Sequence, residues 1–532
     1  MSCHQCGASS TASSIPPVPS MARCLFTSNI CPVDSDAAAA KRFIAAAESF
    51  IGVLDCRIEI LRAVLDQLVA ERGHLSSRIA QHRVILSPVR RIPPELICEI
   101  LAWIPPQSRK IGRHVVEQPP WQLAHICRSW RQAALACPSL WSSFSVLHHG
   151  YPVSFPPEMI ETQLFHTGSQ PLDIYFGWKH DGALQDTSCW DLFLPLCHRW
   201  RSLRIECPSN RAAEALIERL RVVQDNVPLL ERVEFFLDDE DPVPLDGQWD
   251  LLSNAPRLSQ LFLVDVALNS YSPDFTVPWS QITHYRGVFP HARQLDILRR
   301  SPNLVQCSIG SDDEDVTAVH PDMMVQSLHL RQLHAEHCSI IGHIIAPALQ
   351  HLSVNNPSPT LHPFIHHSSC SLTTLVVTKG CTLEDLSVAL PLCLALERLV
   401  VKMIRGFPSA DTTLNNHISS FIDTLQISST SSPSPGTEAN MIICPVLAIF
   451  GLGFPIRSSQ INFDWTDKLF RMIQSRSLST VRLFNVGLPR KMDDVRLPQA
   501  LGECIQRLRD EQSLDIEYLT AGEGVAFMGS LG

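Results

Sequence analysis

Charged residues and tyrosine are both scarce in this sequence: Asp, Glu, Lys and Arg together make up 18 % of 532 residues, and only 5 residues are tyrosine. With 45 % hydrophobic residues, the composition excludes a wholly disordered chain. No stretch of about 18 apolar residues occurs, so no membrane-spanning helix is expected. There is no dense run of Lys or Arg, and the formal net charge is −10, so a phosphate backbone has nothing to hold and no nucleic-acid partner is expected. The N-terminus MSCHQCGASSTASS lacks a basic region followed by an apolar one, the mark of a secretory signal. The 18 cysteines lack the regular spacing of a disulfide framework. Together these point to reduced thiols and a cytoplasmic or nuclear location, or both.

Catalytic signatures are missing too. There is no phosphate-cradling Gly-rich loop ending in Gly-Lys-Ser/Thr, no Gly-x-Ser-x-Gly turn, no His-Glu-x-x-His helix and no kinase signature. Cys3 and Cys6 have zinc-type spacing but no second pair to complete four ligands. His334-Ala335-Glu336 echoes half of a zinc-deaminase motif whose cysteine half is absent. The expectation is a non-catalytic protein with no metal and no cofactor.

What the sequence does contain falls into parts. Residues 1–33, rich in Ser and Pro, read as a disordered leader. Residues 34–87 read as one coiled-coil helix, with Asp34 or Ser35 as its cap. Its seam advances by alternating steps of three and four through Ile44, Ala47, Ile51, Leu54, Ile58, Leu61, Leu65, Leu68, Arg72, Leu75, Ile79, His82 and Leu86. Only Arg72 and His82 interrupt its apolar character. Two readings stay open: a homodimer formed through this coiled coil, or a long helix laid along the body of its own chain. Pro88 ends the helix in either case.

Residues 88–145 look compact and helical. From Ser87 the chain reads SPVRRIPPELICEILAWIPP. Pro93 and Pro94 suit a first helical turn, and Leu96, Ile97, Ile100, Leu101 and Ile104 form one apolar stripe that Pro105 and Pro106 stop. Next comes WQLAHICRSWRQAALACPSLWSSF, with Leu123, Ile126, Cys127, Trp130, Ala133 and Ala134 on one face of a second helix. Pro138 breaks it, and Leu140 and Trp141 open a third element.

This ordered combination, Pro93-Pro94-Glu95-Leu96-Ile97, then Ile100-Leu101, then Ile126-Cys127-Arg128-x-Trp130-Arg131, then Pro138-x-Leu140-Trp141, resembles an F-box. With a heptad helix leading into it, the layout is similar to a group of mushroom-type fungal F-box proteins. The resemblance covers about 100 residues. It implies a three-helix module that packs on a Skp-type adaptor of an SCF ubiquitin ligase, with Pro93, Leu96, Ile100, Leu101, Ile126, Trp130, Leu140 and Trp141 facing the adaptor. The polar stretch 107–118 makes the inter-helix segment longer than in a minimal F-box.

Beyond residue 146 a pattern recurs eight times: Leu, two residues, an apolar residue, one residue, an apolar residue. Leu230/Val233/Phe235, Leu258/Leu261/Leu263, Leu304/Cys307/Ile309 and Leu349/Leu352/Val354 carry it first. Leu372/Leu375/Val377, Leu396/Leu399/Val401, Leu447/Phe450/Leu452 and Leu478/Val481/Leu483 follow. Leu328/Arg331/Leu333 is a weaker copy. The alternation predicts strands, and several spacings lie in the leucine-rich-repeat range. The expectation for 146–520 is an irregular leucine-rich-repeat-like solenoid, with a disordered loop at 427–438 and a tail at 521–532. Acidic runs at 238–241 and 312–315 follow two of the strand signals.

The fold class expected is thus α/β: a long N-terminal coiled-coil helix, a three-helix F-box module, then the solenoid. The function implied is a substrate receptor with an unknown protein substrate on the repeats. The alternative is a coiled-coil and leucine-rich scaffold acting outside ubiquitination.

Overall fold

The computed structural model of the protein describes residues 15–21, 24–103, 120–148, 156–178, 188–207, 218–237, 248–250, 252–265, 274–310, 324–355, 360–379, 383–402, 411–427, 443–454, 465–476, 478–485, 499–512 and 514–519. The Cys3/Cys6 pair, the 107–118 segment, both acidic runs, nearly all of the 427–438 loop and the 521–532 tail lie outside them. The chain divides into two units, residues 1–96 and 97–532.

The first unit is dominated by helix α1, Asp34–Ile85, of 52 residues and about 78 Å at 1.5 Å per residue. Neither expected cap, Asp34 or Ser35, holds that position. The extended residue Val33 precedes the helix, and Asp34 lies inside it, where with Asp36 it meets the positive end of the helix dipole. His82 and Arg83 occupy the last turn, at the negative end. Pro88 opens a 3-10 turn, Pro88–Arg91. No residue of α1 is buried, and seam residues such as Ile51, Leu65 and Ile79 are all exposed. In the leader, Cys24–Thr27 makes one helical turn.

The second unit is α/β, with a parallel sheet of 14 strands in which spatial order follows chain order. The strands are β1 Ser143–His148, β2 Leu172–Trp178, β3 Trp200–Cys207, β4 Arg232–Leu237, β5 Gln260–Asp265, β6 His284–Val288 and β7 Gln306–Gly310. They continue as β8 Gln332–Ala335, β9 His351–Asn355, β10 Thr374–Lys379, β11 Arg398–Lys402, β12 Ile449–Phe454, β13 Thr480–Asn485 and β14 Asp515–Leu519. Every neighbouring pair is parallel.

In all eight leucine triplets the second and third members lie on a strand of this sheet and the leading leucine two residues before it, and every member is buried except the half-buried Leu478. Their alternation sends one set of side chains into a single core. The ninth, weak copy is corrected in phase: Leu328 is exposed, and the buried positions are Leu330, Leu333 and Ala335. Two further copies lack a leucine in first place, with Trp200 before Leu203 and Ile205, and Ile282 before Tyr285 and Gly287.

Regular leucine-rich repeats place asparagine at their turns, and here it is mostly missing. A backbone device recurs instead at the strand starts. The Glu231 carbonyl accepts the Ser259 and Gln260 N–H groups, Ser259 accepts Thr283 and His284, and Thr283 accepts Val305 and Gln306. The series runs on through Val305, Arg331, Gln350, Thr373, Glu397 and Ala448. Each of these N–H groups thus finds a partner at the entry to the preceding strand, as a stack of parallel strands requires. At Gly287 the core leaves no room for a side chain. A Cβ there would collide with the Tyr285 hydroxyl. That hydroxyl donates to Gln294 Oε1 at 3.0 Å, and Gln294 Nε2 donates to the carbonyls of Gly287 at 2.8 Å and Gly310 at 3.2 Å.

Candidate docking surfaces

Helix α2, Pro94–Ala102, carries Leu96, Ile100 and Leu101 of the expected adaptor contact. The single apolar stripe read from sequence is corrected: it divides into two. Ile97 and Leu101, four residues apart, are each only 1 % exposed. Leu96, Ile100 and Trp103 follow on the neighbouring side at steps of four and three, and are 55 %, 43 % and 83 % exposed. Pro93 is exposed, and Ile104 lies outside the described residues. The inward stripe and the Cys98 thiol, which approaches the Ala133 carbonyl at 3.7 Å, hold the helix to the segment that follows.

That segment departs from the single helix expected over 121–137. Trp121–Ala124 and Arg128–Leu135 are separate helices, α3 and α4, with the extended residue Cys127 between them. Arg131 Nε donates to the Ala124 carbonyl at 2.9 Å and bridges the break. Ile126 falls in the break and is exposed, and Leu135 is exposed at the end of α4. Trp130 and Leu140 are half-buried.

Leu101 and Trp141 cannot face an adaptor as the chain stands, because both are sealed within the second unit. Trp141, in the short helix α5 (Pro138–Trp141), is 1 % exposed, and its indole N–H donates to the Ala134 carbonyl at 2.7 Å. Trp121 meets it edge-on at 5.2 Å, and Gln163 donates to the carbonyls of Trp141 and Ser143. Trp141 therefore fastens the helical segment to the start of the sheet. Trp103 is the large exposed side chain not singled out from sequence. Its signal was present in the step from Leu96 to Ile100 to Trp103, which continues one helical face.

A second surface lies on the side of the sheet facing away from the core. The register aligns Tyr175, Arg204, Glu234, Phe262 and Arg286 in one row across β2 to β6. Arg204 lies over the rings of Tyr175 and Phe236 at 4.9 and 4.7 Å, and pairs with Glu206 at 2.5 Å and Glu234 at 3.3 Å. The Tyr175 hydroxyl donates to Glu206 Oε2 at 2.5 Å. Burial, then the hydrogen bond to Glu206 and its charge, raise the Tyr175 phenol above its ordinary value, so it stays a neutral donor. The row is polar, aromatic and held rigid by paired charges, with no nucleophile activated by a neighbouring base among its described residues. Further along, His334 meets Ser353 Oγ at 2.9 Å, and burial lowers its basicity.

Comparison with protein families and with characterised proteins finds no match to this chain. The geometry carries the reading alone. Among the described residues, no helix is long and apolar enough to cross a membrane.

Proposed function

We propose that this protein is the substrate-recognition subunit of an SCF-type ubiquitin ligase, with the helical segment 88–145 docking a Skp-type adaptor and the sheet binding a protein target. The observation that carries it is the exposed row Leu96, Ile100 and Trp103, running along α2 and just past its end beside a stripe that is already buried. An exposed tryptophan beside two exposed aliphatic side chains is the composition of an interface anchor rather than of a solvated face. Ile126 and Leu135 add exposed apolar area in the segment that follows. The adaptor-facing set is accordingly Pro93, Leu96, Ile100, Trp103 and Ile126, together with the half-buried Trp130 and Leu140, while Leu101 and Trp141 act as internal supports. The leucine-rich reading of the sheet rests on sequential parallel strands, eight of the fourteen with the same buried pattern of a leading leucine and two apolar residues. Its polar row around Arg204, Glu206 and Glu234 is the surface offered to a target. The mechanism is proximity: a held target meets ubiquitin chemistry supplied by other subunits, at raised effective concentration.

The test is co-purification of the full chain with a Skp-type adaptor. The expected result is a stable complex that is lost when Pro93 and Leu96 are both changed to Ala, while the core variant Leu101→Ala lowers thermal stability as well as binding. Retained binding in the P93A/L96A double variant would falsify the assignment.

A further inference from the structure

Helix α1 buries no residue of its apolar seam, and we infer that a second copy of this chain covers it in antiparallel orientation. An isolated helix gains little stability from propensity alone, so a stripe of Ile and Leu about 65 Å long calls for a facing surface. The choice of occupant and of direction comes from the charges that flank the seam.

In a parallel, in-register pair, equivalent residues meet. Arg72 then faces Arg72 of the second copy within the seam, and His82 faces His82. On the flanks, residues five apart come together across the interface. That sets Arg57 against Arg62 and Arg78 against Arg83, and the one flanking pair of opposite charge is Asp36 with Lys41 at the helix start. Glu71 lies beside Arg72 in that arrangement, but it must serve against all of these repulsions.

Reversing the second helix about a dyad near residue 63 changes each encounter. Arg72 falls level with Leu54 of the second copy and beside its Asp55. Arg57 lies against Glu71, a pair that occurs twice by symmetry. Almost the full seam, 44–82, stays overlapped, with Leu61 against Leu65 at the centre. The like-charge approaches that remain are Lys41 with Arg83 at the two ends and Arg62 across the dyad, and Arg62 already holds Glu59 of its own helix at 2.8 Å. The antiparallel pair thus turns the two polar interruptions of the seam, Arg72 and His82, from self-facing positions into separated ones, Arg72 gaining a carboxylate neighbour. This inference stands independently of the adaptor reading, since it uses only residues of α1.

Sedimentation equilibrium on the full-length protein tests it, because reversing Arg57 has opposite signs in the two orientations. Arg57→Glu replaces an attraction with a repulsion in the antiparallel pair, and the expected result is a dimer weakened about tenfold, since like charges set face to face disfavour a partner. Glu71→Arg added to it restores the wild-type constant. In a parallel pair R57E relieves the Arg57–Arg62 clash instead. A wild-type protein that stays monomeric through the micromolar range, any stoichiometry other than two, or R57E binding as tightly as wild type or more so, overturns the inference. Circular dichroism of each variant confirms that α1 remains helical.

Discussion

Leucine and isoleucine have opposite fates in the two units of this protein. In residues 97–532 the triplets on successive strands are buried almost without remainder, as with Leu375, Leu399 and Leu452. In α1 the same residue types recur just as regularly, and none is buried. The difference lies in who supplies the next layer. A strand that buries its triplet finds the neighbouring strand a few tens of residues further along the same chain. A heptad seam on a single helix has no such neighbour within its own unit. Periodicity therefore announces that a surface will be covered, and the spacing of repeats in the chain decides whether the cover is intramolecular.

That contrast can be broken most forcefully in the sheet. Leu399→Ala removes a fully buried side chain between two parallel neighbours, and should cost the second unit about 2–5 kcal/mol in thermal or urea unfolding. Leu65→Ala, at an exposed position, should leave that transition unmoved and affect only association. If both variants shift the same transition equally, the two regions are not energetically distinct. Next in size is Gly287→Ala. Its methyl must displace Tyr285 from Gln294, and a loss of about 1–3 kcal/mol is expected for such overpacking.

A smaller effect comes from pH. Burial lowers the basicity of His284, His334 and His351 in the folded sheet, with nearby Arg232 adding to it at His284. The unfolded chain then takes up protons first as pH falls through about 6.5, so stability is present above that value and declines below it. Melting curves of the sheet between pH 7.5 and 5 should show the decline, and His334→Gln should reduce it. A transition insensitive to pH in this window would contradict the burial of these rings. Smallest is thiol reactivity. Cys393 is pushed up to about 12 by burial, and Cys370 and Cys444 to about 11, so at neutral pH they stay protonated. Mass spectrometry after brief alkylation should find label on Cys24, Cys31, Cys56 and Cys127, which are exposed, and not on those three.

How much of this was legible in the sequence depends on whether a local period determined the outcome. The strands were readable because Leu-x-x-φ-x-φ, with φ an apolar residue, is set by alternation along one strand. They went unread where tryptophan or isoleucine replaced the leading leucine, at Trp200 and Ile282. The helix was readable from its heptads, to within two residues of its C-terminal end. The sites were less so. Leu96, Ile97, Ile100 and Leu101 all fit an apolar stripe, and only the packing of α2 sorts Ile97 and Leu101 inward from Leu96 and Ile100. Trp141 fitted an interface anchor by residue type, yet its indole is committed to Ala134. The break at His125–Cys127 had no proline or glycine to announce it. The row centred on Arg204 was invisible because its members come from strands about 30 residues apart, aligned only by register.

The reading as a receptor depends on the outward side of α2 being a surface that another protein covers. Titration of the full-length chain with a purified Skp-type adaptor, comparing wild type with Leu96→Asp/Ile100→Asp, tests this directly. Tight one-to-one binding by the wild type, reduced at least a hundredfold by the two buried charges introduced, is the predicted result. Equal binding by both proteins, or none by the wild type, would contradict it.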